Sequence, residues 1–247
     1  MTIRIAVAGK GGVGKTTISS LIIRYLIKEN KTPILAVDAD PNANLNEGLG
    51  FQYQGTVADI REDIPGKELP PGVSKNDYIN NRIQEDIVEG KGVDLLVMGR
   101  PEGRGCYCFV NELLRNFLSK LAKSYKYLVV DSEAGMEHLS RRTADDLDLL
   151  ILVSDQTSLG MRTAANLLKT ASKVKLKIKK IGIVVNKSKK ELTTQQLDIL
   201  KKAKLEVLGI VPEDATIYDF REEGRSLMEL PDDNAVVKVV AKIVAEV

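Results

Sequence analysis

Short runs that are apolar at every position recur along the chain, separated by longer stretches with apolar positions three and four apart. The runs are Ile3–Ala8, Ile34–Val37, Leu95–Met98, Tyr127–Val130, Leu149–Val153, Ile181–Val185 and Val207–Val211. Unbroken apolar runs, as opposed to alternating ones, predict strands covered on both faces, as in a parallel sheet. Helical spacing predicts helices over Lys15–Lys28, Asn111–Ser124, Met161–Lys173, Leu192–Lys202 and Asp233–Glu246. From Gly55 to Gly90 the periodicity is weak and Pro and Gly recur, which predicts short helices and loops inserted between strands. The expectation is an α/β fold in one domain over residues 1–247, with a mostly parallel central sheet of about seven to eight strands and helices on both faces.

Composition narrows the function more than the fold. Lys plus Arg number 36 against 34 Asp plus Glu, a formal net charge of +2, so any basic function would have to be local. With no Trp and 4% aromatics, the core must be aliphatic. The chain has only two cysteines, which excludes a disulfide scaffold. No apolar run approaches the ~18 residues of a membrane-spanning helix. The first residues lack the pattern of a secretory leader, so the expected compartment is the cytoplasm.

Gly9-Lys10-Gly11-Gly12-Val13-Gly14-Lys15-Thr16 fits G-x-x-x-x-G-K-[ST] between a predicted strand and a predicted helix, the context of a P-loop NTPase. Backbone N–H groups of Gly11, Gly12, Val13, Gly14, Lys15, Thr16 and Thr17 would close around phosphate at a helix N-terminus. Lys15 would reach the β- and γ-phosphates of ATP or ADP, and Thr16 would ligate Mg²⁺. The same glycines also spell Gly9-x-Gly11-x-x-Gly14 with Asp38 downstream, a dinucleotide fingerprint. That pattern gives no reason for the adjacent Lys15-Thr16.

Acidic residues end two of the predicted strands. Asp38 and Asp40 close Val37-Asp38-Ala39-Asp40-Pro41, where two carboxylates can hold Mg²⁺ through water and position an attacking water. Asp131 ends Tyr127-Leu-Val-Val-Asp131 as a Walker B carboxylate would. Asn186-Lys187-Ser188-Lys189 stands where GTPases carry Asn-Lys-x-Asp, but Lys189 cannot accept guanine's hydrogen bonds, which favours ATP. Asn186 can contact the adenine edge. His138, the chain's single histidine, can assist metal transfer or hydrogen-bond locally at a helix start, and the second is the expected role.

Cys106 and Cys108 flank Tyr107 in a Gly-rich segment. A disulfide between residues two apart would be strained, so two free thiols are the simpler state. Two thiolates leave a tetrahedral site half built. A two-fold dimer supplies two more, giving a Cys₄ site on the symmetry axis, and soft thiolates suit Zn²⁺, Cu(I), an Fe–S cluster or Ni²⁺.

Lys10 makes the loop resemble the deviant Walker A of the MinD/ParA/NifH group of dimeric ATPases. The resemblance implies that Lys10 reaches the partner's nucleotide, that Asp38 lies near the metal and Asp40 beside the nucleophilic water, and that Ser132–His138 is a switch with Gly135 as its joint. It also implies that the segment at Pro212 covers the base. The fuller pattern, Gly99-Arg-Pro-Glu-Gly-Arg-Gly-Cys106-Tyr-Cys108 with Asp131-Ser-Glu-Ala-Gly-Met-Glu-His138, resembles the CooC type over nearly the whole chain. These are ATPases that mature nickel in carbon monoxide dehydrogenase, with the related AcsF type serving acetyl-CoA synthase. The resemblance implies a homodimer bridged by metal and nucleotide, with Lys10, Lys15 and Asp40 carrying the ATP chemistry, Cys106 and Cys108 the metal, and such a nickel enzyme as client.

Two other classes are weighed. An Fe–S ATPase resembling the nitrogenase iron protein does not take its ligands from one Cys-x-Cys. A MinD/ParA-like positioning ATPase would need a membrane anchor or a DNA-binding patch. Ala235–Val247 has no aromatic residue and reads as a packed helix. Lys173, Lys175, Lys177, Lys179 and Lys180 alternate with apolar residues, as on a strand or sheet edge with a solvated face. No nucleic acid and no membrane are therefore expected as partners.

Overall fold

The computed structural model describes residues 1–63, 71–100, 117–132, 146–171 and 177–245. Its strands are β1 (Ile3–Gly9), β2 (Ile34–Ala39), β3 (Val88–Glu89), β4 (Val93–Val97), β5 (Tyr127–Ser132), β6 (Asp146–Asp155), β7 (Lys177–Ser188) and β8 (Glu206–Pro212). Among the described residues they form one eight-stranded sheet in the order β3-β4-β2-β5-β1-β6-β7-β8. Only β3 runs antiparallel to its neighbour. The expected α/β sheet with helices on both faces is present. The apolar runs of β1, β2, β4, β5 and β6 seed strands whose two faces are largely covered, whereas the run in β8, at the sheet edge, leaves Ile210 40% exposed.

Alternation divides the core into two layers. Ile5, Val7, Ala36, Val129 and Ile151 face α1 (Lys15–Lys28) and α8 (Ala235–Ala245). Ala6, Ala8, Val37, Val130 and Leu152 face α4 (Lys75–Glu85) and α5 (Ser158–Ala171). The described residues also form α2 (Leu45–Leu49), α3 (Val57–Asp63), α6 (Thr194–Ala203) and α7 (Ala215–Glu222).

Helix α1 spans the expected residues, and its apolar positions Ile18, Leu21, Ile22 and Leu26 are buried. Helix α8 buries Val236, Val237, Val240, Ile243 and Val244. At about 1.5–3 kcal/mol for each such side chain, that face is committed to the core, as a packed helix requires. No described helix is long and apolar enough to cross a membrane.

Several boundaries and elements differ from expectation. Helix α5 starts at Ser158, three residues before Met161, because Thr157 caps its first turn: Thr157 Oγ1 accepts the Gly160 N–H at 2.9 Å, and Asp155 Oδ1 in turn accepts the Thr157 N–H at 2.9 Å. The short elements β3, α2 and α7 were not foreseen; none is long enough to show a period. The alternating Lys177, Lys179 and Lys180 begin β7, which pairs with β6 from Lys177 but with β8 only from Gly182. That stretch is a local edge inside the sheet, and Lys179 is ion-paired to Asp148 at 2.6 Å. Lys173 and Lys175 lie outside the described residues, as do residues 111–116 of the expected Asn111–Ser124 helix; the remainder is helical at 117–121 and continues as a 3₁₀ turn at Ala122–Ser124.

Candidate nucleotide-binding site

The loop between β1 and α1 lies at the carboxyl ends of the central strands, where the order turns around β1 and ligands of open α/β sheets bind. Helices α4, α6 and α7 are capped by side chains, α4 by Ser74, α6 by a Thr193/Gln196 capping box and α7 by Asp214. Helix α1 begins instead on Gly14, in the left-handed region at φ 93°, with no side-chain cap. Its first amides are left for an outside acceptor, and the helix dipole favours an anion there.

The loop's residues divide by task. A side chain on Gly11 or Gly12 would meet no atom within 4 Å, so this stretch is open to a ligand. A side chain on Gly14 would collide with the Asn186 amide. Val13 is 3% exposed and anchors the loop in the core, so any contact it makes to phosphate is through its backbone. Lys10 is exposed, whereas Thr17 is buried and lines a small cleft with Thr16, Asn44, Glu47 and Arg221.

Parallel register brings the two strand-end carboxylates together. Asp38 pairs with Asp131 across β2 and β5. Thr16 Oγ1 donates to Asp131 Oδ2 at 2.6 Å and Ser19 Oγ donates to its Oδ1 at 3.1 Å. Asp38 accepts the N–H groups of Leu45 at 2.8 Å and Asp40 at 3.1 Å. Burial pushes Asp131 up to about 7, against the pull of Thr16, Lys15 and Ser19, and the neighbouring Asp38 charge adds to the rise. Burial likewise pushes Asp38 up to about 6, opposed by its two backbone donors. Both carboxylates are short of positive charge, which is the environment a divalent cation would correct.

Lys15 is 6% exposed, with Nζ 3.8 Å from Asp40 Oδ2. Asp40 Oδ1 accepts both the backbone N–H and the side-chain amide of Asn42 at 3.0 Å. Asp40 thus shapes the turn after β2 and also carries a charge toward Lys15. Lys15, Thr16, Asp38, Asp40 and Asp131 lie together in one cluster.

Asn186 is 5% exposed, but its Nδ2 donates to Val13 O at 2.8 Å, so part of the amide expected at the adenine edge is spent on the phosphate loop. Lys189 pairs with Glu213 at 3.0 Å, and Glu213 N donates to Ser188 O at 3.0 Å, tying the segment after Pro212 to the end of β7. Ser19, which donates to Asp131, and Lys187, whose Nζ donates to Gly12 O at 3.0 Å, also touch this cluster or its loop, and the sequence reading does not single them out. Ser19 lies one turn from Lys15-Thr16, and that spacing was the available signal. Cys106, Cys108, Gly135 and His138 lie outside the described residues. Among the described residues no group of three or more His, Cys, Asp or Glu is placed to hold a metal ion.

Residues 5–227 match the CobQ/CobB/MinD/ParA nucleotide binding domain. An uncharacterized ATP-binding protein of Methanocaldococcus jannaschii is 44% identical, covering 98% of this chain and 97% of its own length. The carbon monoxide dehydrogenase accessory protein CooC of Rhodospirillum rubrum is 32% identical, covering 92% and 90%. Among solved structures, the Aquifex aeolicus cell division protein MinD superposes with a TM-score of 0.72 at 22% identity, covering 100% of this chain and 96% of that one. A ParA family ATPase of Chlorobium tepidum superposes at 0.74 with 20% identity, covering both chains fully. At these identities the two superpositions speak for the fold.

Proposed function

The chain belongs to the CobQ/CobB/MinD/ParA nucleotide-binding family, and from that premise we propose that it is an ATP-driven metal carrier serving the maturation of a nickel enzyme. It is an ATPase of the MinD/ParA type. The cargo, Ni²⁺ or Zn²⁺, and the client, a carbon monoxide dehydrogenase or acetyl-CoA synthase, are our reading. One observation carries it: both cysteines of the chain stand at Cys106 and Cys108, two residues apart, in a chain 32% identical to a carbon monoxide dehydrogenase accessory protein.

The described geometry supports the ATP half. Amides from Gly11 to Thr17 receive the phosphates, and Lys15 exchanges its loose contact with Asp40 for the β- and γ-oxygens. Thr16, with Asp38 and Asp131 acting through water, would hold Mg²⁺, which neutralises charge building on the transferred phosphoryl group. Asp40 orients the attacking water. Exposed Lys10 is free to reach the nucleotide of a second copy. Asp131 leads directly into the Ser132–His138 switch, and through it hydrolysis alters the Cys pair. The thiolates of two copies together take one metal ion as cargo.

Cys106→Ala and Cys108→Ala should each lose the bound nickel, measured by elemental analysis, while Mg·ADP affinity stays at the wild-type value. Unchanged metal stoichiometry in these variants would remove the thiolates from the reading. A visible iron–sulfur absorbance from protein purified anaerobically would replace it with the Fe–S class. Strongly salt-dependent DNA binding would replace it with the positioning class.

A further inference from the structure

Strand β7 ends in an irregularity. Its pairing with β8 shifts register between Val185 and Ser188, and Lys187 sits in the left-handed region at φ 55°. A non-glycine residue held there is strained and persists where its surroundings require it. In a regular strand, Asn186 and Lys187 would point to opposite faces. Here both reach the phosphate loop: Asn186 Nδ2 donates to Val13 O at 2.8 Å, and Lys187 Nζ donates to Gly12 O at 3.0 Å. Two consecutive side chains thus hold two consecutive carbonyls.

A trans peptide points its N–H opposite to its C=O. Pinning the Gly12 carbonyl therefore fixes the direction of the Val13 N–H, and pinning the Val13 carbonyl fixes the Gly14 N–H. These are amides the phosphates would meet. Gly12 itself is at φ 80°, with open space where a side chain would be, so packing does not restrain this peptide.

We infer that Lys187 is a positioning residue of the ATPase, which orients the phosphate-loop amides by holding the Gly12 carbonyl and does not read the base. The inference rests on the nucleotide reading of this site and is independent of the metal cargo. Lys187 is exposed, and its charge gives the loop a donor that a neutral side chain of equal length lacks.

The test compares wild type with Lys187→Met, Lys187→Gln and Lys187→Arg, using Mg·ADP and inorganic pyrophosphate as calorimetric probes and hydrogen exchange on the peptide holding residues 10–16. Met should weaken both probes by about tenfold, the worth of one charge-assisted hydrogen bond, and Gln by less. Arg should restore most of the affinity. Loop amides of the Met variant should exchange faster without ligand, at an unchanged melting temperature.

Loss confined to ADP would overturn the inference, because a base contact has no effect on pyrophosphate. So would wild-type affinity in the Met variant, failure of Arg to restore binding, or a fall in melting temperature that accounts for the whole effect. If wild type itself binds neither probe, the nucleotide reading fails, which is distinguishable from failure of Lys187 alone.

Discussion

Asp131 and Asp148 lie on neighbouring parts of one sheet, and the fold treats them in opposite ways. Asp148 is near the amino end of β6. Burial pushes its carboxyl up, but the Lys179 ammonium at 2.6 Å and the Arg4 N–H at 2.8 Å outweigh this and hold it below the usual range. Asp131, at the carboxyl end of β5, is fully buried and receives two neutral hydroxyl donors, which do not offset its desolvation. At the amino end, a carboxylate is matched from within the chain. At the carboxyl end, Asp131 and Asp38 are left undermatched. Folding alone disfavours two buried, undercompensated acids, and such local conflicts collect where a ligand completes the structure.

The sharpest way to break this comparison is to neutralise each acid in turn. Asp131→Asn should lower the kcat of Mg·ATP hydrolysis by about 10²–10³-fold, the worth of a lost preorganised electrostatic group. Asp148→Asn should stay within about twofold of wild type. Equal losses in steady-state assays would erase the distinction.

Stability should move the other way. In urea titrations at pH 8 with chelator and no nucleotide, Asp131→Asn should gain about 1–3 kcal/mol by removing an unmatched buried charge. Asp148→Asn should lose up to about 1 kcal/mol.

The same contrast has a pH signature. Burial raises Asp38 to about 6 and Asp131 to about 7, above the ordinary value of 3.8. Between those limits the native protein holds more protons than the unfolded chain, so its stability falls as pH rises. What the protonated acids contribute is fully present below the ordinary value and is lost as pH passes through the folded values. The advantage of Asp131→Asn over wild type should therefore grow from near zero at about pH 4 to its full size by about pH 8. A difference that shrinks with rising pH would contradict the direction of the shift.

The smallest effect concerns the base. Lys189→Asp breaks the ion pair with Glu213 and supplies the acceptor that guanine's donors need. The preference for ATP over GTP should narrow by about three- to tenfold in competition binding. An unchanged preference would detach Lys189 from base selection.

Much of this site was legible because its signals are local. Lys15-Thr16 follows a strand and opens a helix, and apolar runs ending in Asp38 and Asp131 mark where a parallel sheet gathers carboxylates. Register brings them together with no further information from sequence. The Lys187 contact was not legible, since it depends on a left-handed residue breaking strand alternation, and Lys at φ 55° has no sequence signature. Asn186 was assigned to the base by its motif, yet its amide also anchors Val13, a contact between residues 173 apart. Segments β3 and α7 escaped because two and eight residues show no clear period.

The central claim is that nucleotide and metal are bound together by two copies of this chain. Native mass spectrometry with Ni²⁺, with and without a non-hydrolysable Mg·ATP analogue, tests it most directly. The account predicts a dimer carrying one nickel and two nucleotides, with the nickel absent from the Cys106→Ala protein. A monomer that holds its own nickel in both conditions, or a nucleotide-bound dimer that takes none, would contradict it.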